Sequence, residues 1–179
     1  MGDSVITIVA IVLAAILMFV FPLMTMSDRT DDISQLTVQT ATTDFVDNVR
    51  TTGKLSMDNY AAFEQKINAT GNTYDIEMEA KILDENPAKK TTQATATKIG
   101  ENVYYSMYTS QLLDTMGAGT GTSNTLRLKE GDMFSTSVKN TNTTLSQQLK
   151  NFFYRVTGND TYSIAAQHGG YVTASSTAN

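Results

Sequence analysis

The chain changes its hydrophobic rhythm several times, and each change predicts an element. Residues Val5 to Met24 read VITIVAIVLAAILMFVFPLM, a run without a single charge. Twenty residues at 1.5 Å each make about 30 Å of helix, the thickness of a bilayer's hydrocarbon core. Asp3 and Asp28-Arg29 bracket the run. A buried core helix is the soluble alternative, but globular helices carry a polar stripe and this one has none. A cleaved signal is the other rival. It requires a basic start and a small-residue cleavage site, where this chain offers Asp3 and Phe21-Pro22-Leu23-Met24. Residues 1–27 are therefore expected to form a transmembrane anchor, bent near Pro22. Arg29, flanked by Asp28, Asp31 and Asp32, gives the positive-inside rule little to count.

After the span a period near 3.6 continues. Ile33, Leu36, Thr40, Thr43 and Val46 to Val49 are spaced by threes and fours, which predicts an amphipathic helical extension over 28–53. Thr51-Thr52-Gly53 stops it. Ser56 reads as the N-cap of a second helix with Met57, Tyr60, Phe63 and Ile67 inward, ended by Gly71. From Tyr74 to Ile82 the period becomes two, the mark of a half-buried strand. Leu83 to Gly100 reads as a loop. Val103, Tyr104 and Met107 predict a helix through Leu112-Leu113 to Gly117, and 117–124 a connector. Leu126 to Leu128, the turn Glu130-Gly131-Asp132 and Met133 to Val138 predict a hairpin, with Phe134, Thr136 and Val138 on one face. Thr143 to Arg155 predicts a helix capped by Asn142. Tyr162, Ile164 and Ala166 predict a strand, Gly169-Gly170 a bend, and 173–179 a frayed tail. The expected fold class is α+β: a long N-terminal helix, then a small antiparallel sheet packed with helices in a soluble head over 54–172.

Charge and composition narrow the function. The 179 residues carry a formal net charge of -5, so no general attraction to nucleic acid is expected. With no cysteine, disulfides and thiolate chemistry are excluded, and the single His168 excludes multi-histidine metal centres. His168 near a chain end reads as a bystander rather than a base. The stretch GAGTGTSN at 117–124 lacks the lysine of a phosphate loop. No enzyme activity, cofactor or small-molecule substrate is expected.

Two clusters stand out. Asp28, Asp31 and Asp32 read as solvation of the membrane interface, or as a weak cation site or a charge contact with a neighbouring subunit. They lack the glycine and glutamate of an EF-hand loop. Tyr104, Tyr105 and Tyr108 form a candidate interface, since tyrosine suits half-buried surfaces. Glu77 and Glu79 share the wet face of their strand.

An apolar N-terminal helix, its amphipathic extension and a small sheet-bearing head together resemble the pilin-like class of bacterial proteins, most closely the minor pseudopilin-type subunits of tight-adherence pili. That class closes a basic leader with glycine and places glutamate at the fifth mature position. Here Gly2-Asp3 lacks the leader, and Thr7 stands where the glutamate belongs. These departures argue against leader processing and favour a tip, priming or assembly component over a major subunit. The resemblance implies that Ile6, Val9, Leu13, Leu17 and Phe21 anchor the chain in membrane lipid and pack on other pilus or secretion-system subunits. It also implies a single-pass protein with its head outside the cytoplasm. A membrane-anchored extracytoplasmic binding domain without catalytic activity is the alternative.

Overall fold

The computed structural model of the chain describes residues 2–84, 104–117, 125–145, 147–148 and 163–174. Helix α1 (Gly2–Thr52) runs through Pro22 as one element. It tolerates its many threonines because their hydroxyls donate to the carbonyl one turn back. Thr7 bonds Asp3 O at 2.8 Å, Thr25 bonds Phe21 O at 3.0 Å, and Thr42 bonds Val38 O at 2.7 Å. Gly53, at φ 64°, ends the helix in the left-handed conformation that glycine adopts without steric cost.

Strand β1 (Lys54–Ser56) follows, and the Ser56 side chain caps α2 (Met57–Asn68) by accepting from Asn59 N. Helix α2 buries Phe63 and Ile67 as expected. Strand β2 (Tyr74–Leu83) pairs antiparallel with β3 (Tyr104–Tyr108) on one side and with β5 (Met133–Asn140) on the other. Strand β6 (Ala165–Tyr171) completes the sheet in the order β3-β2-β5-β6. Helix α3 (Thr109–Gly117) inserts Leu112 and Met116 into the core, and β4 (Thr125–Arg127) pairs with β1. The α+β architecture is as the sequence predicts.

The core lies between the second half of α1 and the inner face of the sheet. Val38, Ala41, Phe45, Val46 and Val49 meet Met78, Ala80, Phe134 and Val138 there. Phe45 is its centre, stacked on Phe63 at 4.5 Å and edge-on to Phe134 at 5.8 Å.

Several expectations need correction. Tyr104–Tyr108 is strand, not helix, and α3 starts only at Thr109. The Thr109 hydroxyl bonds Met78 N at 2.7 Å, replacing the next rung of the ladder where β3 leaves β2. The predicted hairpin is a corner. Leu126 pairs with Leu55, and the chain then turns at Gly131 (φ 94°) into a different sheet. Asp132, buried at that corner, accepts from Leu83 N at 2.8 Å and Lys129 N at 2.7 Å. Ile33, Leu36 and Thr40 point outward, while the buried face of the extension runs through Asp31, Ser34, Val38, Ala41, Phe45 and Val49. Of the helix predicted from Thr143, only the first turn is described. Its cap is Thr144 rather than Asn142, because Thr144 Oγ1 accepts from Gln147 N at 3.2 Å.

Gly169 and Gly170 do not bend the chain; both lie within β6. A Cβ on Gly169 would stand 2.6 Å from Ser135 Cβ, and one on Gly170 would meet the Arg50 guanidinium at 2.7 Å. The strand needs glycine for close approach, not for flexibility. Replacing glycine by alanine ordinarily stabilises by about 0.4–1 kcal/mol where the backbone permits it. Here Gly169→Ala is expected to destabilise by roughly 1–3 kcal/mol through overpacking. Ser135→Gly in the same chain is expected to restore part of the loss, as read from urea midpoints in a double-mutant cycle.

Candidate functional site

The candidate site is the half of α1 that the head does not cover. Its most apolar 18-residue stretch has a mean hydropathy of 3.0, and none of that stretch is buried. Ile6, Val9, Leu13 and Phe21 are all more than half exposed, and Leu17 is 40% exposed. An apolar surface of this extent has no stable place in water. One candidate N-terminal membrane helix is consistent with single-pass anchoring, and the one polar side chain within Val5 to Met24 is the hydroxyl of Thr7. That hydroxyl is already satisfied by the helix backbone, as hydrocarbon would require.

The junction between this half and the head is held by polar contacts that flank the apolar core. Asp31 is buried, and its carboxylate accepts from Thr144 Oγ1 at 2.8 Å. Thr144 N in turn donates to Gln147 Oε1 at 3.1 Å, so α1 is tied directly to a capping box. Gln35 grips the start of β6 from both sides: Nε2 donates to Ala165 O at 2.7 Å, and Oε1 accepts from Ala165 N at 3.0 Å. At the far end Arg50 Nε donates to Tyr171 O at 2.9 Å, while Arg50 O accepts from Thr173 N at 2.9 Å. Between these two grips, Asp47 Oδ1 lies 2.8 Å from Arg50 and 3.1 Å from His168 Nε2.

The structure therefore separates the acidic cluster. Asp31 is an internal link, Asp32 is exposed, and Asp28 is partly buried with an interaction of its own. Among the described residues no group of three carboxylate or imidazole side chains converges on a point where a cation could sit. Tyr104, Tyr105 and Tyr108 are exposed on β3, at an edge of the sheet far from the acidic residues. His168 is a half-buried tie between β6 and α1. Sequence reasoning missed Gln35, Asp47 and Arg50 altogether; their partners lie more than 120 residues away along the chain.

No protein-family model matches this chain, and no curated protein or solved structure shows significant similarity to it. The long apolar helix and small antiparallel sheet are architecturally compatible with a pilin-like fold.

The hydrogen bond from His168, opposed by partial burial and aided by Arg50, holds the Asp47 carboxyl below its usual pKa. A depressed carboxylate adds stability above its unfolded value, and that stability is lost as pH falls through the lower folded value. Asp47 is half exposed, so screening limits the effect to about 0.2–1 kcal/mol. Asp47→Asn is expected to lower the urea midpoint slightly at pH 7. The gap from the unmodified chain is expected to close below about pH 3.9.

Proposed function

We propose that this chain is a structural or assembly subunit of a pilus-like or secretion-type system at the cell surface, anchored by its one N-terminal helix, with the head extracytoplasmic. The observation that carries this reading is that exposed apolar side chains recur on α1 beyond the charged stretch Asp28 to Asp32. Ile33 and Leu36 are each about two-thirds exposed, on the side of the helix turned away from the core. They stand nine and twelve residues past Met24, about 14 and 18 Å along the axis. The polar headgroup layer on one side of a bilayer is only about 5–7 Å deep. Lipid therefore cannot cover them when Val5 to Met24 fill the hydrocarbon. Exposed apolar side chains that recur past the charged stretch Asp28 to Asp32, beyond the reach of lipid, fit packing on other protein helices. The pilin-like resemblance supplies the class of partner: other subunits of the same assembly.

The alternative, an anchored binding domain without catalysis, is favoured by a different face. Opposite α1 the sheet is open, and Glu77, Glu79, Tyr108, Ser135, Ser137 and Gln167 line a shallow depression of about 570 Å³. That depression is polar and wide, a form suited to a weak polar contact and not to a sealed substrate pocket.

Because the chain has no cysteine, single substitutions report cleanly. Ile33→Cys and Leu36→Cys, together with Ile6→Cys and Leu13→Cys in the span, are expected to give protein–protein crosslinks in the producing cell. Exclusively lipid adducts in the span, with no protein adduct at Ile33 or Leu36, would leave only the anchored binding domain.

A further inference from the structure

The head has two ends, and they differ in chemistry. Strand β6 runs the same way as α1, since Gln35 holds its start and Arg50 its finish. By antiparallel pairing, β2 then begins and β5 ends at the end nearer the apolar half of α1. Two turns meet there: residues 69–73 between α2 and β2, and residues 141–144 after β5. Neither contains a charged residue.

They are laced together by neutral side chains. Asn142 Oδ1 accepts from Thr73 N at 2.9 Å, and its Nδ2 donates to Asn72 Oδ1 at 3.2 Å. The Thr73 and Thr141 hydroxyls lie 3.1 Å apart, and Thr70 Oγ1 lies 2.7 Å from the Tyr74 hydroxyl. Asn140 Oδ1 accepts from Asn142 N at 2.8 Å. The corner at the other end of the head is built on a carboxylate, that of Asp132.

The uncharged rim faces the emerging helix across a notch. Leu23, Met26, Thr30 and the Thr144-bonded carboxylate of Asp31 lie on the α1 wall, and Asn72, Thr143 and Leu145 on the other. Leu145 is 57% exposed. The notch is held at a fixed depth, because α1 is unbroken and Asp31 is bonded to Thr144. With Met24 at the edge of the hydrocarbon, Asp31 stands about 10 Å above it. On that wall Met26, about 3 Å above Met24, falls inside the headgroup layer, and Thr30, about 9 Å above it, stands just beyond, so the notch opens at the headgroup surface.

We infer that the neutral rim of the head, Thr70 to Asn72 and Asn142 to Leu145, seats on the lipid headgroup surface, with Leu145 dipping into the interface while the subunit is in the membrane. This rests on the anchoring read from Val5 to Met24. Neutral amides and hydroxyls satisfy one another at a boundary where an unpaired charge would be costly. An exposed leucine there gains burial that water does not offer. The occupant is lipid because the continuous helix and the Asp31–Thr144 bond set the depth of the rim.

The chain has no tryptophan, so one introduced indole reports its own surroundings. Full-length Leu145→Trp, Thr143→Trp, Leu13→Trp and Thr51→Trp are reconstituted separately in phosphatidylcholine vesicles. Some vesicles carry a nitroxide on the headgroup and others bromine at mid-chain. Leu13→Trp is expected to be quenched by brominated chains. Leu145→Trp and Thr143→Trp are expected to be quenched by the headgroup nitroxide, with a blue shift for Leu145→Trp. Thr51→Trp, about 30 Å farther out than Asp31, is expected to keep its emission. If Leu13→Trp is quenched while both rim variants behave like Thr51→Trp, the seating is wrong and the anchor stands. A blue-shifted rim reporter that labelled lipid does not quench means protein covers the rim, which also overturns the inference. An unquenched Leu13→Trp sinks the anchor and the seating together.

Discussion

Helix α1 has two halves of opposite exposure, one packed under the head and one bare and apolar enough to span a membrane, and the rest of the molecule follows from that. Its second half supplies Val38, Ala41, Phe45, Val46 and Val49 to the core, while its first half exposes Val5 to Leu23. No loop separates the two. A head on a flexible tether could turn freely, but here the sheet packs directly on the same continuous helix. The polar links at Asp31, Gln35 and Arg50 enforce this, because each ties a different level of the helix to the backbone or cap of a head element. Packing alone, being non-directional, resists separation better than it resists sliding along the axis. Hydrogen bonds with defined partners fix the register.

What was legible in the sequence is what local periodicity encodes. The span, the stop at Gly53, the Ser56 cap and the alternation of β2 all depend on neighbours within a turn or a rung. The failures came where distant residues decide. Tyr104 and Met107 fit a helical spacing, but tyrosine-rich segments also suit a pleated surface, and the exposed edge of β2 settled the choice. Gly169-Gly170 resembles a bend until Ser135 and Arg50 are known to press on either side. Ile33 and Leu36 were placed on the core stripe because they are apolar. The true stripe passes through Asp31, Ser34 and Thr42, whose polarity hid it.

The candidate site was legible in outline and illegible in detail for the same reason. A charge-free run of twenty residues announces itself. The cluster of Asp28, Asp31 and Asp32 did not reveal that Asp31 alone turns inward, since its partner Thr144 is 113 residues away. Gln35 carries no signal at all in a helix of this composition. A hint was available in position: polar residues that recur beside a buried apolar stripe are candidates for interelement bonds, because their neighbours carry them toward the partner surface.

The distribution of charge along the long axis then gains a physical reading. Acidic and basic side chains are used at the far end of the head, where Asp132 organises a corner and Arg50 closes the sheet. At the near end asparagine and threonine build the two turns, and the carboxylate bonded there comes from α1, the buried Asp31. Both kinds of side chain satisfy backbone groups in turns, so stability alone does not choose between them. The choice matters only if the two ends meet different surroundings. A carboxylate loses hydration as it approaches hydrocarbon, whereas paired amides and hydroxyls lose much less. The same economy operates inside α1, where Thr7 and Thr25 fold their hydroxyls back onto the helix. Threonine is thus common in this chain for more than solubility: it supplies hydrogen bonds along a helix that begins as a bare apolar run and ends in the core of the head.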